Sequence, residues 1–171
     1  MLLHPNQCGL GAVLIVSLRH VASVGKLNVD EAADFHRLFV LLEPALEKVF
    51  GASLVNVSCD RNWAFRKANP NPPFFEGRPN PHVHWHVVPR YPRKISFDSV
   101  EWSDTTFGEP FVWRKKAVPL GVRVKIIRAI RRKLPISFVK KANQSTDPAF
   151  ASGTFRAGHE PRHRLRGSIQ R

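Results

Sequence analysis

Apolar positions along this chain follow two different periods, and each change of period marks an element. Ala12 to Ser17 is a continuous apolar run opened by Gly9 and Gly11, with the length and composition of a buried strand, and it ends in Leu18, Arg19 and His20. Three- and four-residue steps then take over. Phe35, Leu38, Phe39, Leu42, Leu46, Val49 and Phe50 fall on one broad face of a helix predicted from Asn28 to Gly51. Asn28 is placed to cap that helix, Glu31 to close a capping box, and Asp30 and Asp34 to set negative charge near its positive end. Gly51 stops it, and Pro44 is expected to kink it. Leu54 to Cys59 reads as a second strand and His82 to Pro89 as a third. The Pro- and Asn-rich connection between them is too long for a hairpin turn, and connections of that length are often functional. A last helix, Val122 to Leu134, sets Val122, Ile126, Ile130 and Leu134 on one face and most of Arg123, Arg128, Arg131, Arg132 and Lys133 elsewhere. It is expected to pack on the sheet.

Composition fixes the scale. With 171 residues, 43% of them hydrophobic and including 12 Phe and 4 Trp, the chain can build the core of one ordinary domain and is not disordered throughout. Lys and Arg number 27 against 13 Asp and Glu, a formal net charge of +14. The excess is uneven: residues 1–135 carry 20 basic and 11 acidic side chains, and residues 136–171 carry 7 and 2 in a Ser-, Gly-, Arg- and Ala-rich stretch without apolar periodicity. A domain over 1–135 and a basic, disordered tail over 136–171 follow as expectations. Cys8 and Cys59 are too few for a disulfide scaffold or a four-cysteine zinc site, which points to a reducing compartment. The longest apolar run, Leu10 to Leu18, is half of the roughly 20 residues a membrane span needs and has no basic leader. A soluble, cytoplasmic protein without a membrane partner is expected.

The segment with the most chemistry is Pro81-His82-Val83-His84-Trp85-His86-Val87-Val88-Pro89-Arg90-Tyr91. Strand alternation projects His82, His84 and His86 from one side and sends Val83, Trp85 and Val87 into a core on the other. A neutral imidazole whose first nitrogen donates to a backbone carbonyl presents its second as a free lone pair, suited to attack on phosphorus or to metal binding. A protonated neighbour would stabilise developing phosphoryl charge and protonate a departing group.

From His82 to Val88 the sequence resembles the signature of the histidine triad (HIT) superfamily of nucleotide hydrolases and transferases, His-x-His-x-His followed by two apolar residues, with x apolar. Gly11 to His20 is similar to the family's strand ending in a basic residue and histidine, and Asn28 to Gly51 to its long helix. Tyr91 onward, with Phe107-Gly108-Glu109-Pro110 and the final helix, is compatible, so the resemblance covers residues 9–135. It implies an α+β fold in which an antiparallel sheet carries a long helix, with a C-terminal helix added. It also implies that His84 attacks the α-phosphorus of a dinucleoside polyphosphate or nucleoside phosphoramidate to form a nucleotidyl-histidine, from which water releases the nucleoside monophosphate. His86 would bind phosphoryl oxygens and assist the leaving group. His82 would supply the carbonyl that orients His84 and, with His20, pack behind it. Neither a metal nor another cofactor is implied; a homodimer is, by several branches.

The chain departs from that pattern in two places. Where many members carry Gly-Gln followed by Ser or Thr to contact the leaving group, this sequence reads Gly77-Arg78-Pro79-Asn80. Arg78 is either a substrate-binding guanidinium that reads phosphate or a solvated charge. Members also usually begin with an extra hairpin and a short helix that wall the base and ribose, whereas only Met1 to Leu10 precede the first predicted strand. The N-terminal hairpin is therefore expected to be missing, leaving the pocket open, closed by a partner, or completed by residues upstream of this start. Among Asn56, Asn62, Asn69 and Asn71, Asn62 is favoured as the phosphate-side asparagine.

Plainer readings stand beside these. Alternating histidines can bind zinc or copper, but no Cys, Asp or Glu lies nearby in sequence to complete a site. His36 falls on the helix and His4, His159 and His163 in loose ends, where structural or incidental roles are expected; Trp85 is expected to fill the core. The positive charge suggests a second functional class, a nucleic-acid-binding module gripping phosphates non-specifically through the basic helix and tail. Some branches of the same superfamily remove adenylate from DNA ends, so the two classes can merge.

Overall fold

Two antiparallel pairings of the apolar run at Val13–Val16 organise the molecule. The structure, a computed structural model, describes residues 1–135; the tail expected over 136–171 lies outside them. In chain order the elements are β1 (Leu2–Leu3), β2 (Val13–Val16), α1 (Val29–Phe50), β3 (Leu54–Ser58), β4 (His84–Arg90), β5 (Ile95–Phe97), β6 (Val100–Trp102) and α2 (Leu120–Arg131). β1 to β4 form one antiparallel sheet in the order β1-β2-β4-β3, and β5 pairs with β6 in a separate hairpin. The histidine-bearing strand is thus an interior strand, hydrogen-bonded along both edges.

Leu42, Ala45, Leu46 and Phe50 of α1 meet Val13, Ile15 and Val87 of the sheet, and Val122, Ile126 and Ile130 of α2 close the same core with Leu10, Tyr91, Trp102 and Leu134. The α+β class with a long helix on an antiparallel sheet is the observed one. The helix start is as its residues dictate: Glu31 N–H donates to Asn28 Oδ1 at 2.8 Å while Asn28 N–H donates to Glu31 Oε2 at 2.9 Å. Gly51 ends the helix in the left-handed conformation, its N–H donating to the Glu47 carbonyl. Pro44 does not divide the helix, which runs through it for 22 residues. Pro44 and Val40 both lie on the exposed side, where the carbonyl freed by proline faces water.

Several expectations need correction. α2 packs chiefly against α1 and shares the core beneath the sheet, and it begins two residues before Val122 and stops before Leu134, which remains buried in the following turn. β4 begins at His84, so His82 precedes the strand. Residues 1–10 are not merely a lead-in: Leu2 and Leu3 pair with Leu14 and Val13 and add a short strand to the edge of the sheet. The β5–β6 hairpin went unread because its turn residues, Asp98 and Ser99, both adopt positive φ without the usual glycine. Among the described residues no helix is long and apolar enough to cross a membrane.

Candidate active site

Trp85 stacks on Phe35 of α1, ring centroids 4.1 Å apart at 18°, so that face of β4 belongs to the core and His84 and His86 project from the other. His82, just ahead of the strand, has its ring Nε2 3.0 Å from both the carbonyl and the hydroxyl oxygen of Ser17. Its own carbonyl lies 2.8 Å from Nδ1 of His84. A carbonyl only accepts, so Nδ1 of His84 carries a proton, and in the neutral ring Nε2 keeps the lone pair. The His20 ring rests against His82 with centroids 4.8 Å apart, and the His84 and His86 rings are 4.9 Å apart at 67°. The four histidines singled out by sequence gather along one strip.

The predicted substrate-binding residues lie on the connection between β3 and β4. Asn62 is exposed on a short 3₁₀ turn, Asn62–Phe65, and Arg78 is exposed at the close of the turn in which Phe75 and Arg78 bond each other's main chains. No hydrogen bond, ion pair or ring contact among the described residues ties either side chain to His84 or His86. Asn56, another of the asparagines considered, accepts a hydrogen bond from the Arg90 guanidinium.

Three side chains that the sequence did not single out complete the strip. Just beyond β3, whose Ser58 lies opposite His86, Asp60 accepts a hydrogen bond from Ser58 Oγ at 3.1 Å and brings a carboxylate toward His86. His4, assigned to a loose end, is buried: it stacks on Trp113 with centroids 4.3 Å apart at 23°, and its ring centre is 5.3 Å from that of His86. Trp113 itself meets His86 edge-on at 5.6 Å. It is carried by the strap of residues 103–119, which Arg90 fixes by donating to Asp104 and to the carbonyls of Thr106 and Glu109. Only Leu2 and Leu3 precede His4 in the first strand, too little alternation to announce a face, and Trp113 lies 27 positions beyond His86 in a segment without periodicity.

Burial is the main cause of the site's electrostatics. It pushes His86 down to about 4, aided by the neighbouring His84 and opposed by Asp60. Burial likewise takes His4 down to about 4; the Asn6 carbonyl opposes this, while His86, His84 and Arg123 add to it. His82 is lowered by burial, with the Ser17 carbonyl opposing. His86 is therefore neutral near pH 7, not the protonated neighbour expected. Its Nδ1 is buried with no hydrogen-bond partner among the described residues. A buried N–H without an acceptor is worse than a bare nitrogen, so the His86 proton belongs on Nε2. The two neighbours thus hold opposite tautomers, His84 offering a lone pair and His86 an N–H.

No protein-family model matches this sequence, and no curated protein matches it. Among solved structures the chain is similar to a hypothetical histidine triad nucleotide-binding protein from Sulfolobus tokodaii strain 7, at 16% identity and a TM-score of 0.49, over 78% of this chain and 74% of that one.

Among the described residues no three His, Cys, Asp or Glu side chains are gathered as ligands of one metal ion. A cavity of about 200 Å³ lies between residues 8–10 and the strap, lined by Tyr91, Trp102, Asp104, Phe111 and Arg114 among others, but by none of the histidines. The reactive groups line the open strip and not that cavity.

Proposed function

We propose that this protein is a nucleotide hydrolase or nucleotidyl transferase that acts on the α-phosphate of a dinucleoside polyphosphate or a nucleoside phosphoramidate through a covalent nucleotidyl-histidine. The observation that carries this reading is the 2.8 Å contact between His84 Nδ1 and the His82 carbonyl, which aims an unprotonated Nε2 out of the sheet. In the first step that lone pair bonds to the α-phosphorus and the bond to the leaving group breaks, taking its electron pair with it. The His86 N–H donates to the phosphoryl oxygens as charge builds on them. Water then attacks phosphorus, the phosphorus–nitrogen pair returns to Nε2, and the proton released passes to solvent. His82, held by Ser17 and flanked by His20, fixes the carbonyl that sets the His84 tautomer.

Incubation with a panel of dinucleoside polyphosphates and nucleoside phosphoramidates tests this reading. Released nucleoside monophosphate and a labelled His84 support it; neither appearing with any member of the panel overturns it.

A second reading, a nucleic-acid-binding module with or without removal of adenylate from a DNA end, draws on α2, where Arg128 is exposed away from the buried Val122, Ile126 and Ile130, with Arg132 and Lys133 exposed just beyond the helix. Its mark is a steep salt dependence on random duplex, with each phosphate contact contributing about 0.9 to the slope.

A further inference from the structure

Three rings pack against His86, which is half-buried. His84 stands 4.9 Å away on its own strand, His4 5.3 Å away after β1, and Trp113 5.6 Å away on the strap. His4 and Trp113 are themselves stacked, so the N-terminal segment and the strap form one wall. The wall is anchored at both ends: His4 Nδ1 lies 2.7 Å from the Asn6 carbonyl, and the Asn6 side chain donates to the Arg114 carbonyl at 2.8 Å. The Nδ1 of His86 is buried and meets no acceptor among the described residues. The titratable groups that face His86 are His84, His4 and Asp60, with Arg123 of α2 behind His4.

We infer that the His4–Trp113 wall makes this site selective for phosphoric anhydrides over phosphoramidates, because it leaves His86 able to donate a hydrogen bond but not to give up a proton. The inference rests on the nucleotidyl-histidine reading above and narrows its substrate class. An imidazole becomes an acid only as imidazolium, with protons on both nitrogens, and the second proton would sit on the buried Nδ1 without an acceptor. A neutral imidazole that lost its one proton would become an imidazolate, a charged form that burial penalises.

The two substrate classes differ on this point. When Nε2 of His84 bonds to the α-phosphorus of an anhydride, the electron pair of the breaking bond stays on the bridging oxygen, which departs as a phosphate oxyanion needing no proton. When the breaking bond is phosphorus–nitrogen, the pair stays on nitrogen, and the amine must take up a proton as it leaves. Asp60 does not fill the gap, because its carboxylate is exposed and its hydrogen bond goes to Ser58.

The test compares kcat/KM for diadenosine tetraphosphate and adenosine 5′-phosphoramidate, with the titration of the His86 ring followed by NMR. The wild type is expected to favour the anhydride by about a hundredfold, the lower end of what general acid catalysis contributes. His4→Ala, which admits water to Nδ1, is expected to narrow that ratio at least fivefold and to move the His86 titration upward. His4→Phe, which keeps a stacked ring on Trp113, is expected to retain both. Equal or better cleavage of the phosphoramidate by the wild type overturns the inference. So does a His4→Ala variant that is folded and active but shifts neither the ratio nor the titration. No labelling of His84 by either substrate overturns the nucleotidyl-histidine reading, and the preference with it, whereas labelling without preference overturns the inference alone.

Discussion

Arg90 and Asp104 form an ion pair at 2.6 Å with side chains only 2% and 7% exposed, and that pair ties the end of the histidine strand to the strap bearing Trp113. The same guanidinium donates to Asn56 on β3 and to strap carbonyls, so its donors are spread over both neighbours. The Phe111 ring covers it, 5.2 Å from the guanidinium carbon. Little of its charge is left to water.

Removing one partner of such a pair leaves the other buried and unpaired. Arg90→Leu should therefore destabilise the fold by about 3–5 kcal/mol, roughly 6–20 °C in melting temperature for a chain of this size. Asp104→Asn, which can still accept from Arg90, should cost less. Thermal denaturation followed by circular dichroism measures both, and equal midpoints for Arg90→Leu and wild type would show that the pair contributes nothing.

His84→Ala should abolish nucleotide release without lowering the melting temperature appreciably, because the ring lies on the open face and fills no core. His86→Ala should slow turnover by roughly a hundredfold or more, as loss of a positioned donor does, yet still allow some labelling of His84. Single-turnover labelling separates the two, and complete loss of labelling in both variants would erase the division of roles.

Stability should fall as pH drops from about 6.5 toward 4. His4 and His86 are held neutral in the folded protein until about pH 4, whereas in the unfolded chain they take up protons near the ordinary histidine value. Across that interval the unfolded state binds more protons, so acid favours it; above the interval both states are neutral and the effect vanishes. The double variant His4→Phe, His86→Phe should flatten this part of the profile in urea denaturation at stepped pH, and an equally steep loss in that variant would place the proton uptake elsewhere.

Asn28→Ala should cost about 1 kcal/mol by removing the side-chain half of the capping box, and Asn28→Asp should restore most of it. Denaturant midpoints test the order, which a reversal of the two variants would contradict.

What could be read from sequence was what local rules write within one element. The capping box from Asn28 to Glu31, the apolar face of α1 and the alternation through His84, Trp85 and His86 all depend on neighbours a few residues apart. Arg90 gave no sign of burial, because its partners are Asn56 on the preceding strand and Asp104 beyond the β5–β6 hairpin. His4 meets His86 only because β1 pairs with β2, which in turn pairs with β4, and the second pairing joins residues as far apart in sequence as Val13 and Val87. The long-range pairings decide which side chains join the triad, and sequence periodicity says nothing of them.

Glu31 does more than close the box. Its carboxylate also receives Arg19, through Nε at 3.0 Å and Nη2 at 2.8 Å, and Arg19 immediately precedes His20. The guanidinium reaches on to the Lys26 carbonyl at 3.0 Å, so one acidic side chain gathers the loop around His20, the short 3₁₀ turn that follows and the first turn of α1. Hydrogen exchange is therefore expected to find these segments opening as one cooperative unit, with fraying of the helix start and displacement of His20 as the same event.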